Sequence, residues 1–166
     1  MDTTQTEDVE KIRGLIKDID FCMLTTVDET GRLHSRPMST NGNVDFDGDL
    51  WFFTSDKSHK VEEVEARPEV NVAFADPGHQ NYVSMAGRAE LVKDRAKIKE
   101  LWQPQLKAWF PDGPEQDDVA LLKIHVDHAE YWDAPSSTVA HVVGVAKSLL
   151  TGKPKDVGEN KKVDLH

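Results

Sequence analysis

Leu50-Trp51-Phe52-Phe53-Thr54-Ser55-Asp56-Lys57-Ser58-His59-Lys60 changes character within a few residues. Its first four side chains are large and apolar, the pattern of a strand buried on both faces. Hydroxyls and cations then crowd the strand's end, at Thr54, Ser55, Ser58, His59 and Lys60. Val61 to Ala66 follows with helical character, and Ser58 stands at its N-cap. A strand that stops where a helix starts leaves backbone N–H groups free, at the positive end of the helix dipole. Hydroxyls and a lysine beside that point suit an anion, most plausibly a phosphate. Taken alone, the stretch is better read as an ordinary capped helix with a solvated lysine, because serine caps are common.

Upstream, Val9, Ile12, Leu15, Ile16 and Ile19 recur at helical spacing, so an amphipathic helix is expected over 8–20 after a loose start. Phe21 to Val27 and Arg32 to Ser39 read as a β-hairpin about the turn Asp28-Glu29-Thr30-Gly31. Pro37 cannot donate to a ladder, so its strand has an edge or a bulge there. Arg36 shares a face with His34 and Met38. Thr40 to Asn43 reads as a turn and Val44 to Phe46 as a short extended piece.

Downstream, Val70 to Ala75 and Tyr82 to Val92 are strands, and Gly87 marks a bulge or bend in the second. Asp94 to Trp102 is a helix interrupted by Pro104, with Gln105 to Phe110 as its continuation. Val119 to Val126 and Glu130 to Asp133 are two further strands. Val139, Val142, Val143, Ala146, Leu149 and Leu150 give a last amphipathic helix. Short strands with antiparallel turns and peripheral helices describe a small closed or nearly closed barrel. One domain is expected over 1–150, followed by a polar, ill-ordered tail over 151–166.

At 166 residues the chain can bury a real core. Its net charge of −10 argues against nucleic acid or an anionic membrane as partner. Any phosphate must therefore be held by a local basic cluster. A single cysteine, Cys22, rules out an internal disulfide and sits in an apolar run, as a buried structural thiol does. No apolar run approaches a membrane span, and a cytoplasmic protein is expected.

Several chemistries lack their residues. His125 and His128, with His34, His59, His79 and His141, form no recognised metal-ligand spacing, so no metal is expected. There is no G-x-S-x-G elbow, no GxGxxG and no P-loop. Paired carboxylates in so acidic a chain are ordinary surface. A phosphate site with aromatics around it remains. Arg36, Ser58 and Lys60 supply charge and donors, and Thr54 offers a hydroxyl. Tyr82 and Trp132 are suited to covering a planar ring. Trp132 is equally a core or interface tryptophan.

The ordered set Thr25-Thr26, Gly31 to Met38, Leu50 to Lys60, Asn71-Val72-Ala73, Tyr82 to Ala89 and Glu130 to Asp133 resembles one family. It is similar to the FMN-binding split-barrel proteins related to pyridoxamine 5′-phosphate oxidase, and within them to the general stress protein 26 branch. The resemblance implies a mainly β fold, a six-stranded antiparallel split barrel with peripheral helices. It implies a homodimer with FMN between the subunits. By position, Arg36, Ser58 and Lys60 would contact the FMN phosphate. Phe53 and Thr54 would lie along the ring and ribityl chain. His59 falls where the family often has arginine, and Tyr82 where the oxidases place a glutamine. Trp132 would come from the partner subunit to border the ring.

The oxidases end in an Arg-Leu-His-Asp-Arg-like segment that helps hold pyridoxal phosphate. This chain runs Tyr131-Trp132-Asp133-Ala134-Pro135 instead, which argues against pyridoxamine phosphate oxidation. An FMN-dependent oxidoreductase acting on a small molecule is the leading expectation. A non-catalytic flavin-binding stress protein, a reservoir or sensor, is the second. The same fold carrying FAD, F420 or haem is the third, with haem disfavoured because no histidine stands out as an axial ligand.

Overall fold

Runs of β-branched and aromatic residues punctuated by Gly, Asp and Pro turns give this chain its sheet. The computed structural model describes residues 3–41, 45–134, 138–152 and 158–165. Helix α1 (Thr3–Ile16) is followed by strands β1 (Phe21–Val27), β2 (Leu33–Ser39) and β3 (Asp49–Ser55) and helix α2 (His59–Ala66). Strands β4 (Glu69–Asp76) and β5 (Asn81–Val92), helix α3 (Arg95–Leu101) and two 3₁₀ turns (Pro104–Ala108, Gly113–Glu115) come next. Strand β6 (Val119–Asp133), helix α4 (Thr138–Thr151) and strand β7 (Glu159–Asp164) complete it.

Every pairing is antiparallel. Six strands run in the order β2-β1-β4-β5-β6-β3, and β7 pairs with β6 off that path. This is the mainly β, six-stranded split barrel that the sequence leads one to expect. The split arises at β6. One edge of that strand pairs with β5 along most of its length. The other edge pairs with β3 over Val119–His125 and with β7 over His128–Asp133. Between them the register against β5 slips: Gly87 faces Val126 while Ala86 faces His128. Asp127 is the extra residue, and the strand bends there.

Gly87 is required at that bend. A Cβ on it would lie 2.1 Å from the carbonyl oxygen of His125.

Alternation places Leu50, Phe52 and Thr54 on one face of β3 and Trp51, Phe53 and Ser55 on the other. The first face joins the main core of Leu24, Phe74, Met85, Ile124 and Tyr131, onto which α1 packs Val9, Ile12 and Ile16. The second face meets a separate cluster of Ile98, Leu106, Phe110, Val119 and Leu121 beneath α3 and the 3₁₀ turns. Phe53 meets Trp102 edge-on there, with centroids 5.7 Å apart. Both faces of Leu50–Phe53 are therefore covered. Cys22 is buried, and burial pushes its thiol up to about 12, so it is an inert packing group.

Four local expectations are corrected. Helix α1 starts and ends earlier than 8–20, because a tighter turn, Ile19 N–H to Ile16 carbonyl, closes it. The two strands expected over 119–126 and 130–133 are one strand, joined through the bulge. The helix expected to continue over 105–110 is a 3₁₀ turn. The C-terminal stretch is not an ill-ordered tail throughout: 159–164 forms β7, and Val163 and Leu165 are buried. Its polar composition belongs to a strand with one covered face. Lys161 pairs with Asp8, and Glu159 accepts from the Tyr131 hydroxyl at 2.7 Å. Pro37 lies on β2, an end strand of the sheet, as its missing donor demands. Residues 42–44 of the turn and extended piece expected over 40–46 lie outside the described residues, as does part of the tail.

Candidate functional site

Strand β3 ends at Ser55 and α2 begins at His59, and the turn between them forms part of a cleft of about 350 Å³. Its polar lining includes Thr54, Ser55, Ser58 and Lys60. Its apolar lining includes Phe21, Pro37, Phe53, Leu106, Trp109 and Phe110. The Ser55 hydroxyl holds the turn in place by donating to Asp118 at 2.7 Å.

Ser58 occupies the N-cap of α2 with extended backbone, as expected, yet its hydroxyl makes no capping bond. That hydroxyl lies 3.2 Å from the Thr54 hydroxyl instead. The helix start therefore keeps its positive dipole end without a side-chain cap.

Lys60 is half-buried and, among the described residues, forms no hydrogen bond or ion pair. Burial holds its ammonium below the usual lysine range, the Arg36 charge adds to that, and Glu63 opposes it. Two cations thus stand close together, and among the described residues Lys60 is held by no ion pair of its own.

Arg36 does not line the cleft directly. Its guanidinium donates to Glu63 at 2.7 Å and to the Thr26 hydroxyl at 2.6 Å, with the His34 ring 3.0 Å away. Burial pushes the Glu63 carboxyl up, but the Thr26 hydroxyl and the Arg36 charge outweigh it and hold the group below the usual range. Glu63 thus tethers Arg36 within electrostatic reach of Lys60.

The other residues singled out from sequence go elsewhere. The His59 side chain is 96 % exposed and lies near Glu62, 3.4 Å away, in a groove with Asp28 and Arg67. His59 and Lys60 are successive helical residues that point about 100° apart, so Lys60 joins Ser58 in the cleft and His59 turns to the other groove. Tyr82 and Trp132 face each other in register across β5 and β6. They are 42 % and 40 % exposed, on the outer face of the sheet. That face also carries Met23 and Ala73, paired across β1 and β4.

The profile of the family described as pyridoxamine 5′-phosphate oxidase like matches residues 7–156. The chain belongs to that family. It is 30 % identical over 139 residues to general stress protein 26 of Bacillus subtilis, covering 78 % of this chain and 91 % of that one. It is 31 % identical over 152 residues to protein bli-3 of Neurospora crassa, covering 86 % of this chain and 73 % of that one. A solved structure from Xanthomonas citri, a general stress FMN/FAD binding protein, is 33 % identical with a TM-score of 0.67. That match covers 80 % of this chain and 92 % of the other.

Within the family fold, the cleft gathers Phe53, Thr54, Ser58 and Lys60 from the sequence-derived set, with Arg36 outside its lining. Phe21, Pro37, Leu106, Trp109 and Phe110 were not anticipated. The pairing of β1 with β2 and the folding of 104–110 over β3 bring them in, and neither follows from local spacing. No helix among the described residues is long and apolar enough to cross a membrane.

Proposed function

We propose that this protein binds FMN, with the phosphate at Ser58, Lys60 and the start of α2. The Lys60 ammonium beside Arg36, without a hydrogen bond or ion pair among the described residues, at a helix start that no side chain caps, carries this reading. A phosphate dianion there would meet a cation, a hydroxyl and helix N–H groups together. Arg36, oriented by Glu63, adds charge within electrostatic reach. Phe53 and Thr54 line the path away from that point. FAD and F420 also carry phosphates, so the released ligand itself distinguishes them.

Bound FMN would supply electron acceptance and donation. The protein's own residues bind the tail, orient the ring and exclude water from the cleft. We further propose a homodimer in which the outer face bearing Met23, Ala73, Tyr82 and Trp132 meets a second copy. Exposed aromatic and apolar side chains clustered on one sheet face support that arrangement. It would bring the partner's Trp132 towards the ring.

The leading function is a flavin-dependent oxidoreductase acting on a small molecule other than pyridoxamine phosphate. One observation favours the second reading, a flavin-binding protein without turnover. Among the described residues lining the cleft, Lys60 is the one ionisable side chain, so no separate acid–base pair stands there.

Mass spectrometry of the small molecule released from native protein tests the flavin reading, and FMN is the expected product. Release of no flavin from protein purified and refilled with excess FMN overturns it. Anaerobic mixing with NADH or NADPH then divides the two functions. Bleaching of the bound flavin at catalytic rates supports the oxidoreductase, and an unchanged spectrum supports the binding protein.

A further inference from the structure

Trp109 is held by its neighbours more firmly than an exposed loop residue needs to be. Its backbone N–H donates to the Leu106 carbonyl at 3.0 Å, and the Phe110 N–H donates to the same carbonyl at 2.9 Å. Leu106 and Phe110 are both buried in the cluster beneath α3. The chain is therefore pinned on either side of the indole. Yet the indole itself is 62 % exposed, and it lines the cleft that holds Lys60 and Ser58. Phe21, 60 % exposed, and Pro37 line the same cleft from β1 and β2.

Anchoring a large apolar ring in water forgoes its burial without gaining flexibility. Three exposed apolar side chains, beside a cation with no ion pair among the described residues, suit a ligand with an anionic end and a flat apolar body. We propose that Trp109 is the residue through which this subunit grips the isoalloxazine ring, setting affinity for the ring independently of the phosphate. The proposal rests on the flavin reading and extends it. Lys60 reads the tail and Trp109 reads the ring, so the two contributions separate experimentally.

Dissociation constants for FMN and riboflavin, measured on the full-length protein and its variants, provide the test. Trp109→Ala is expected to weaken both ligands equally, by about tenfold, the scale of aromatic stacking. Trp109→Phe keeps a ring and is expected to recover most of that loss. The same variant is expected to lose part of the quenching of tryptophan emission that bound FMN causes in the wild type. Circular dichroism checks that both variants fold, which an exposed side chain leads one to expect.

Affinities for both flavins unchanged in Trp109→Ala overturn the proposal. So does a loss confined to FMN, which would place the indole at the phosphate. A Trp109→Ala protein that sediments as a smaller species than wild type also overturns it, because the indole then belongs to a contact between copies. If wild type binds neither flavin, the flavin reading falls and takes the proposal with it. Tight wild-type binding with an indifferent Trp109→Ala sinks the proposal alone.

Discussion

Replacing Lys60 with methionine removes one charge and keeps an unbranched stem of similar length. In the folded protein, burial and the Arg36 charge hold this ammonium below the usual lysine range. A lysine whose folded pKa lies below its unfolded value binds fewer protons in the native state. Its charge therefore costs stability at neutral pH, and the cost is relieved as pH rises through the folded value. Lys60→Met is expected to leave the melting temperature of ligand-free protein unchanged or slightly higher.

A phosphate reverses the balance. A hydrogen bond to a charged group contributes about 1.5–3 kcal/mol, equivalent to roughly 10- to 150-fold in Kd. Titration by quenching of flavin fluorescence should show FMN weakened by that factor in Lys60→Met. Riboflavin, which lacks the phosphate, should bind as before. The melting-temperature gain conferred by FMN should shrink in parallel. Equal weakening of FMN and riboflavin would refute the phosphate contact. A ligand-free melting temperature several degrees lower would show that Lys60 has a structural partner after all.

Three further outcomes test the frame around the cleft. Glu63→Gln should cost about 2 kcal/mol by loosening a nearly buried ion pair, read by urea unfolding. The depressed Glu63 carboxyl contributes stability above its unfolded pKa and loses it as pH falls through the folded one. The variant's stability should therefore fall less steeply than wild type below about pH 4. Gly87→Ala drives a Cβ into the His125 carbonyl and should cost about 3 kcal/mol or leave the protein insoluble. Truncation after residue 158 removes the buried Val163 and Leu165 and should lower stability by about 3–5 kcal/mol by calorimetry. Unchanged stability would mean that β7 is dispensable.

The strands were legible because their signals are local. Leu50–Phe53 declares its two covered faces, Pro37 declares an edge, and Gly87 declares a bend. The terminal strand was not legible. Glu-Asn-Lys-Lys-Val-Asp has little intrinsic drive to pair, and it does so because β6 bends at Asp127 and offers an edge. The strand end and helix start at 54–60 gave away the polar half of the cleft. His59 lies in the groove with Asp28 and Arg67 rather than in the cleft, because a run of polar residues in sequence does not show the rotation of the helix. Arg36 pairs with Glu63 outside the cleft lining, a tether that depends on α2 packing against the hairpin. Trp109 was overlooked because its meaning comes from the fold of 104–110 over β3, which no spacing encodes.

A crystal structure of the protein grown with excess FMN tests the central claim most directly. The phosphate should lie within hydrogen-bond distance of Ser58 Oγ and Lys60 Nζ, at the start of α2. Flavin density elsewhere, with the Lys60 side chain turned into solvent, would contradict it.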